Sequence, residues 1–134
     1  MNWAGMTPIE RDSLIAAKVT GWESKECNPG PKDMVVGLLD EKSHGYACYK
    51  CGNHGRLDKN YYRHLELMPR YSTDISAAWQ IAERFDEVIV SKHVPGNYHC
   101  ELYRGTASCR AVAKTAQEAI CLVALRLIGV DIHA

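Results

Sequence analysis

Apolar residues recur every three or four positions after Thr7, which is the pattern of a helix with one buried face. Thr7 is the predicted N-cap, Pro8 is at the first helical position, and Glu10, three residues past the cap, completes a capping box with Thr7. Gly21 ends this helix. The predicted buried face consists of Ile9, Leu14, Ile15 and Val19. The predicted solvent face includes Arg11, Asp12 and Lys18.

Two further helices show the same period. One begins near Ser72 or Thr73, either of which can cap it. Its predicted buried positions are Ile75, Ala78, Trp79, Ala82 and Phe85. The last helix begins at Thr115 with Glu118 in the capping-box position and ends at Gly129. It is apolar on most sides, so it is the predicted central core helix.

Between these two helices the period changes to two, which predicts strands at Glu87–His93, Asn97–Arg104 and Ala107–Ala113. A two-residue loop at Gly105 and Thr106 fixes the register of the last two strands. The pairs expected on the apolar face are Leu102 with Cys109, Cys100 with Ala111, and Tyr98 with Ala113. Glu101 and Arg110 then pair on the polar face.

The segment at 23–70 has little periodicity and is broken by glycine and proline. Met34–Leu39 is either a short strand or a lone turn, and Tyr46–Lys50 reads as a strand. The element order predicts an α+β fold, a layered α/β/α sandwich with a mainly antiparallel sheet and three helices. We expect one domain over 1–134 with an irregular, zinc-stabilised insertion at 23–70.

The composition of the chain excludes some classes of function but does not indicate a particular one. Sixteen basic and sixteen acidic residues cancel among 134, so general nucleic-acid binding is not expected. No stretch of about eighteen apolar residues is present, and the first residues lack a signal-peptide pattern, so we expect no membrane association. The six cysteines are then expected to be thiols or metal ligands in a reducing cytoplasm.

The sharpest chemical motif is the Cys-x-x-Cys turn at Cys48 and Cys51, followed directly by glycine. Two thiolates at this spacing converge on one ion, and the tetrahedral site of zinc needs two more ligands. The predicted metal ligands are Cys48, Cys51, His54 and His64, while His44 and Cys27 are further donors in the same segment. The alternative is a reduced, partly buried thiol pair. A redox role is less favoured, because no helix is predicted after Cys51.

A second cluster combines basic, aromatic and hydroxyl side chains near the start of the second helix. Free backbone N–H groups there can hold a phosphate, and aromatic rings beside arginines can stack on a base. The predicted ligand-binding residues are Trp22, Arg63, Arg70, Tyr71, Ser72 and Thr73. The alternative is structural, with hydroxyls that only cap the helix and tyrosines that cover the sheet.

Three blocks carry a resemblance to a known family. They are Tyr71–Trp79, Thr115–Leu125 and Val19–Trp22. The chain resembles the phage ABA sandwich domain family in these blocks, whereas 23–70 has no good counterpart. The resemblance implies a phage or prophage origin, hence the cytoplasm of a bacterial host, and a layered α/β/α fold. It implies no activity.

No close carboxylate pair, nucleophile pair or phosphate-binding loop is evident, so we expect no catalysis. The favoured function is stoichiometric sequestration of a small anionic, nucleotide-like ligand, such as a cyclic nucleotide signal of host defence. The alternative is binding of a host or phage protein through the insertion, and a metal-dependent nucleotide hydrolase is the weaker third option. We expect a homo-oligomer, most simply a dimer with the ligand at its interface.

Overall fold

A computed structural model describes residues 1–38, 44–51, 54–56, 64–93 and 96–133. The chain forms two compact units. Unit 1 consists of Met1–Trp22 and Pro69–Ala134, and unit 2 consists of Glu23–Met68. Unit 2 therefore contains nearly all of the segment in which the sequence shows little periodicity.

The first helix of unit 1 starts as predicted. Helix α1 spans Pro8–Ile15, and the side chains of Thr7 and Glu10 each accept a hydrogen bond of 3.2 Å from the other's backbone N–H. A π-helical turn at Ala16–Thr20 extends it. Gly21 then has a φ of +69°, a conformation that glycine adopts without strain, and the helix ends there.

The predicted faces of α1 are wrong at two positions. Ile9 is 73% exposed, whereas Asp12 is buried. The cause is a tertiary partner, because Asp12 Oδ1 accepts hydrogen bonds from Ser72 N at 2.8 Å and from Ser72 Oγ at 2.7 Å. Arg11 is also partly buried, where it forms an ion pair with Glu118. Long-range polar pairs therefore set which face of α1 points inward.

The three-stranded sheet of unit 1 matches the prediction in full. Strands β6 (Glu87–His93), β7 (Asn97–Arg104) and β8 (Ala107–Ala113) pair antiparallel in that order. The observed register includes the pairs Leu102 with Cys109, Cys100 with Ala111, Tyr98 with Ala113, and Glu101 with Arg110. Gly105 has a φ of +59°, which fits the first central position of a type II′ hairpin turn.

Helix α3 (Ala116–Leu127) forms the centre of unit 1. It packs against β7 and β8 on one side and against helix α2 (Ile75–Ala82) on another. Thr115 caps it and accepts a hydrogen bond from Glu118 N, as predicted. The core side chains that α3 contributes are Ala119, Ile120, Cys121, Leu122, Val123, Ala124 and Leu125.

Helix α2 begins later than predicted and has a different buried face. Asp74 is its N-cap, accepting a hydrogen bond from Ser76 N at 2.9 Å, so neither Ser72 nor Thr73 caps the helix. Ile75 and Trp79 are about half exposed. Its buried residues are Ala77, Ala78, Ile81 and Ala82. Small side chains therefore face α3.

Unit 2 contains two small antiparallel sheets. One pairs β1 (Glu26–Cys27) with β5 (His64–Leu65), and the other has the order β2 (Met34–Leu38), β3 (His44–Cys48) and β4 (His54–Arg56). The predicted strand at Tyr46–Lys50 thus lies two residues earlier, because Tyr49 and Lys50 form a turn. Residue 39, the predicted end of β2, lies outside the described residues.

The predicted α+β class, with antiparallel sheets and three helices, is confirmed. Within the described ranges, the strands form three separate sheets rather than one. Among the described residues, every helix is too short or too polar to cross a lipid bilayer.

Candidate metal centre

Three cysteines of unit 2 lie together. The sulfur atoms of Cys27, Cys48 and Cys51 are all within 4.8 Å of one another. Cys27 and Cys48 are each 2% exposed, and Cys51 is half-buried. No disulfide joins any of the six cysteines, all of which are among the described residues.

Backbone contacts around the cluster explain how three separate positions converge. Cys48 ends β3, and the turn after it brings Cys51 back toward β1. Tyr49 N donates a hydrogen bond of 2.7 Å to Asp33 O, which fixes this turn against the loop that follows Cys27. In that loop, Gly30 N donates to Asp33 Oδ2 at 2.8 Å. The loop that follows Cys27 therefore helps to hold the backbone around the cluster in place.

The donor set suits zinc in type and in spacing. Thiolates bind zinc at about 2.3 Å, so tetrahedral ligand sulfurs lie about 3.8 Å apart. Sulfur separations of up to 4.8 Å need an adjustment of only about 1 Å, which a side-chain rotation supplies. A cluster of soft sulfur donors with no carboxylate among its three members is typical of structural zinc sites.

Burial, together with smaller contributions from the neighbouring thiols of Cys51 and Cys48, raises the pKa of the Cys27 thiol to about 12. Without a metal, Cys27 is therefore protonated at neutral pH. Metal binding has to displace that proton, so the affinity of this cluster for a cation falls as the pH falls.

The structure brings together only part of the predicted ligand set. Cys48 and Cys51 are in the cluster, and Cys27, one of the further donors of the segment, joins them. His54 lies in β4 with an exposed side chain and is not among the three. The register of β1 with β5 places His64 directly opposite Cys27. Both histidines remain predicted ligands.

The predicted anion-binding residues differ widely in exposure. Tyr71 is 2% exposed, and its hydroxyl forms a hydrogen bond of 3.1 Å with Thr20 Oγ1. Ser72 is equally buried, and both its N–H and its hydroxyl donate to Asp12. The polar groups of these two side chains are therefore engaged inside unit 1. Their role in ligand binding remains a prediction.

The other members of that set are nearer the surface. Arg70 and Thr73 are exposed, and Trp22 is half-buried with its backbone N–H donating to Thr20 Oγ1 at 3.3 Å. Arg63 lies outside the described residues. The part of this set that a ligand can reach, among the residues described, is thus Arg70, Thr73 and one side of Trp22.

Two cysteines of unit 1 are core residues. Cys100 and Cys121 are fully buried. Burial raises the pKa of Cys100 to about 12, and it also raises the pKa of Cys121 well above its ordinary value. A buried thiol that stays protonated is a poor nucleophile. Neither residue is therefore suited to covalent catalysis.

With the geometry described, comparison with known proteins places the chain in a family. Residues 13–125 match the model of the phage ABA sandwich domain, and the chain belongs to this family. The resemblance predicted from the sequence is thereby confirmed.

The chain is also similar to a solved structure, the 2.0 Å crystal structure of a phage protein from Bacillus cereus ATCC 14579. The TM-score is 0.59 at 23% sequence identity, and the match covers 96% of this chain and 94% of that one. This similarity concerns the fold alone. No curated protein matches the sequence significantly.

Proposed function

We propose that this protein is a non-catalytic binding protein whose unit 2 is ordered by one structural zinc ion at Cys27, Cys48 and Cys51. The observation that carries the zinc centre is the convergence of the three sulfur atoms within 4.8 Å. A structural role follows from the burial of two of these cysteines. A zinc ion held in this way has thiolate ligands and no adjacent carboxylate in the cluster to act as general base.

Unit 2 also needs such an ion. Cys27 and Cys48 are its buried apolar side chains among the described residues, whereas Val35, Val36 and Leu38 are exposed. Small folds without a hydrophobic core are stabilised by disulfides or by metals. No disulfide joins the cysteines, so we propose that a metal ion stabilises unit 2.

For the fourth ligand we propose His64. Its backbone lies directly opposite Cys27 in the antiparallel pair of β1 and β5. A neutral imidazole completes a Cys₃His site, which is one of the common structural zinc sites.

Cobalt(II) binding tests the ligand set, because tetrahedral thiolate coordination gives cobalt intense visible bands. We expect His64→Ala to weaken cobalt binding by more than about tenfold, since even the loss of an outer-shell partner costs that much. The matched control is His133→Ala, which removes an exposed histidine of unit 1 and should bind cobalt with the affinity and spectrum of the unmodified protein. A His64→Ala spectrum and affinity equal to those of the control would exclude His64.

The molecule that we propose is captured is a small, nucleotide-like anion, such as a cyclic nucleotide signal of host defence. Stoichiometric capture needs no catalytic group. This agrees with Cys100 and Cys121 of unit 1, whose thiols are buried and protonated and are therefore poor nucleophiles. Arg70 supports this proposal, because its side chain is exposed and has no ion-pair partner among the described residues. Titration of the intrinsic tryptophan fluorescence with cyclic di-AMP tests it, and we expect Arg70→Ala to bind more weakly than the control Lys18→Ala. Equal affinities of the two variants would remove Arg70 from the site.

A second candidate function is the binding of a host or phage protein through unit 2. One observation favours it. Strand β2 is at the edge of its sheet, and Val35, Val36 and Leu38 expose 47%, 46% and 72% of their surface. An apolar edge strand without charged residues can pair with a strand of another chain. The homo-oligomer that we propose is a separate matter, because it is most simply a dimer with the captured ligand at its interface.

A further inference from the structure

We propose that Cys51 is a site of reversible oxidation by hydrogen peroxide, and that Cys27 captures the oxidised sulfur in a disulfide that releases the zinc ion. The proposal rests on the zinc centre above and assigns a chemical modification to two of its ligands. It follows from the three sulfur atoms within 4.8 Å of one another and from the unequal exposure of the three side chains.

Exposure selects Cys51 as the residue that meets the oxidant. Cys27 and Cys48 are each 2% exposed, whereas Cys51 is half-buried. Oxidation of a cysteine requires a thiolate that the oxidant can reach. Zinc keeps its ligand sulfurs deprotonated, so this reaction does not need the helix N-terminus that activates the Cys-x-x-Cys motif of oxidoreductases.

Contacts beside the cluster favour Cys27 as the partner of Cys51. The Cys27 thiol interacts with both other thiols of the cluster, and its interaction with Cys51 is the larger of the two. Lys50, which precedes Cys51, donates a hydrogen bond of 3.3 Å from Nζ to the carbonyl oxygen of Asn28, which follows Cys27. The two segments are thus already in contact. Rotation of the two side chains can then bring their sulfurs to the S–S bond length of about 2.05 Å.

The reaction proceeds in two steps. The Cys51 thiolate attacks one oxygen of hydrogen peroxide, the O–O bond breaks, and hydroxide leaves, so that Cys51 becomes a sulfenic acid. The Cys27 thiolate then attacks the Cys51 sulfur, the S–S bond forms, and a second hydroxide leaves. Both hydroxides take a proton from the solvent. Each sulfur therefore loses one electron, and the peroxide is reduced to two water molecules.

The disulfide removes two of the proposed metal ligands at once. Zinc is bound by thiolates, and the sulfurs of a disulfide are no longer thiolates. We therefore expect one zinc ion to be released for each disulfide that forms. Treatment with dithiothreitol and added zinc should restore the thiols and the metal content, because thiol–disulfide exchange is reversible.

Tryptic peptide mapping after brief treatment with hydrogen peroxide tests the pairing, because the three cysteines of the cluster lie in different tryptic peptides. Cleavage after lysine and arginine places Cys27 in 26–32, Cys48 in 43–50 and Cys51 in 51–56. We expect 26–32 linked to 51–56 in about tenfold or greater excess over 43–50 linked to 51–56. A colorimetric chelator should detect an equal amount of released zinc. Dimedone, which traps sulfenic acids, should label Cys51 before the other two.

Cys109→Ser is the matched control, because Cys109 is also half-buried but lies in β8 of unit 1. It should form the same linked peptides and release the same amount of zinc as the unmodified protein. Cys27→Ser removes the thiolate that captures the sulfenic acid. Dimedone labelling of Cys51 should therefore increase in this variant, and no peptide linked to 26–32 should form.

The outcomes separate this modification from the zinc centre on which it rests. If the protein holds one zinc ion and its cluster stays reduced while Cys109 is oxidised, the modification is overturned and the zinc centre stands. A predominant link between 43–50 and 51–56 would overturn the assignment of Cys27. If protein purified without zinc still forms the Cys27–Cys51 disulfide, the zinc centre and the release of zinc are overturned, and Cys51 stands as an oxidation site.

Discussion

Removal of zinc by a strong chelator is expected to unfold unit 2 while unit 1 keeps its structure. The reason is the distribution of buried apolar side chains, which in the described part of unit 2 are Cys27 and Cys48. Structural zinc supplies about 10 to 16 kcal/mol of apparent binding free energy in small zinc-binding peptides. That is comparable to the whole stability of a typical domain.

Amide hydrogen exchange measures this effect in each unit separately. Peptides that cover β2 and β3 should lose most of their protection after chelation, and peptides from α3 should keep theirs. Cys48→Ser should reproduce the chelated state without a chelator. Cys109→Ser is the matched control, because Cys109 lies in β8 of unit 1 and is not part of the cluster. Unchanged protection of β2 and β3 in protein shown to be free of metal would contradict a structural role for zinc.

Asp12→Ala is expected to lower the free energy of unfolding by about 3 kcal/mol. Asp12 Oδ1 is the acceptor for both the N–H and the hydroxyl of Ser72, and both residues are buried. The substitution leaves two buried donors without an acceptor, each at a cost of about 1 to 3 kcal/mol.

Urea denaturation of two variants distinguishes this effect from simple loss of packing. Ser72→Ala removes the hydroxyl and leaves one donor still bonded to Asp12, so we expect a loss of only about 1 kcal/mol. Asp131→Ala is a surface control, because the Asp131 side chain is 91% exposed and its ion-pair partner is His133. If Asp12→Ala and Ser72→Ala had the same free energy of unfolding, the account of Asp12 as the acceptor of two buried hydrogen bonds would be wrong.

The sequence predicted the sheet of unit 1 residue by residue, because local information determines it. Alternation defines each strand, and the two-residue loop at Gly105 sets the pairing of Leu102 with Cys109. The starts of α1 and α3 were predicted for the same reason, since each capping box is contained within four consecutive residues.

The predictions that were wrong concern residues with distant partners. The sequence pattern places Asp12 on the solvent side of α1, but its partner Ser72 is far along the chain. Ile75 and Trp79 have helical spacing, yet α2 packs on α3 through its alanines and Ile81. Periodicity shows that one face is apolar, but it cannot show which edge of that face the neighbouring helix covers.

The candidate metal site was predicted in part for a similar reason. Cys48 and Cys51 are joined by one turn, so their spacing reveals them. Cys27 reaches the cluster through contacts between the loop that follows it and the turn after Cys48, such as the hydrogen bond from Tyr49 N to Asp33 O, and such contacts leave no period in the sequence.

The most direct test of the central claim is the zinc content of the protein purified without a chelator, measured by inductively coupled plasma mass spectrometry against protein concentration. A Cys₃His site predicts close to one zinc ion per chain, and the same measurement on Cys48→Ser should give a value near zero. Less than about a tenth of an equivalent in the unmodified protein would contradict the zinc centre.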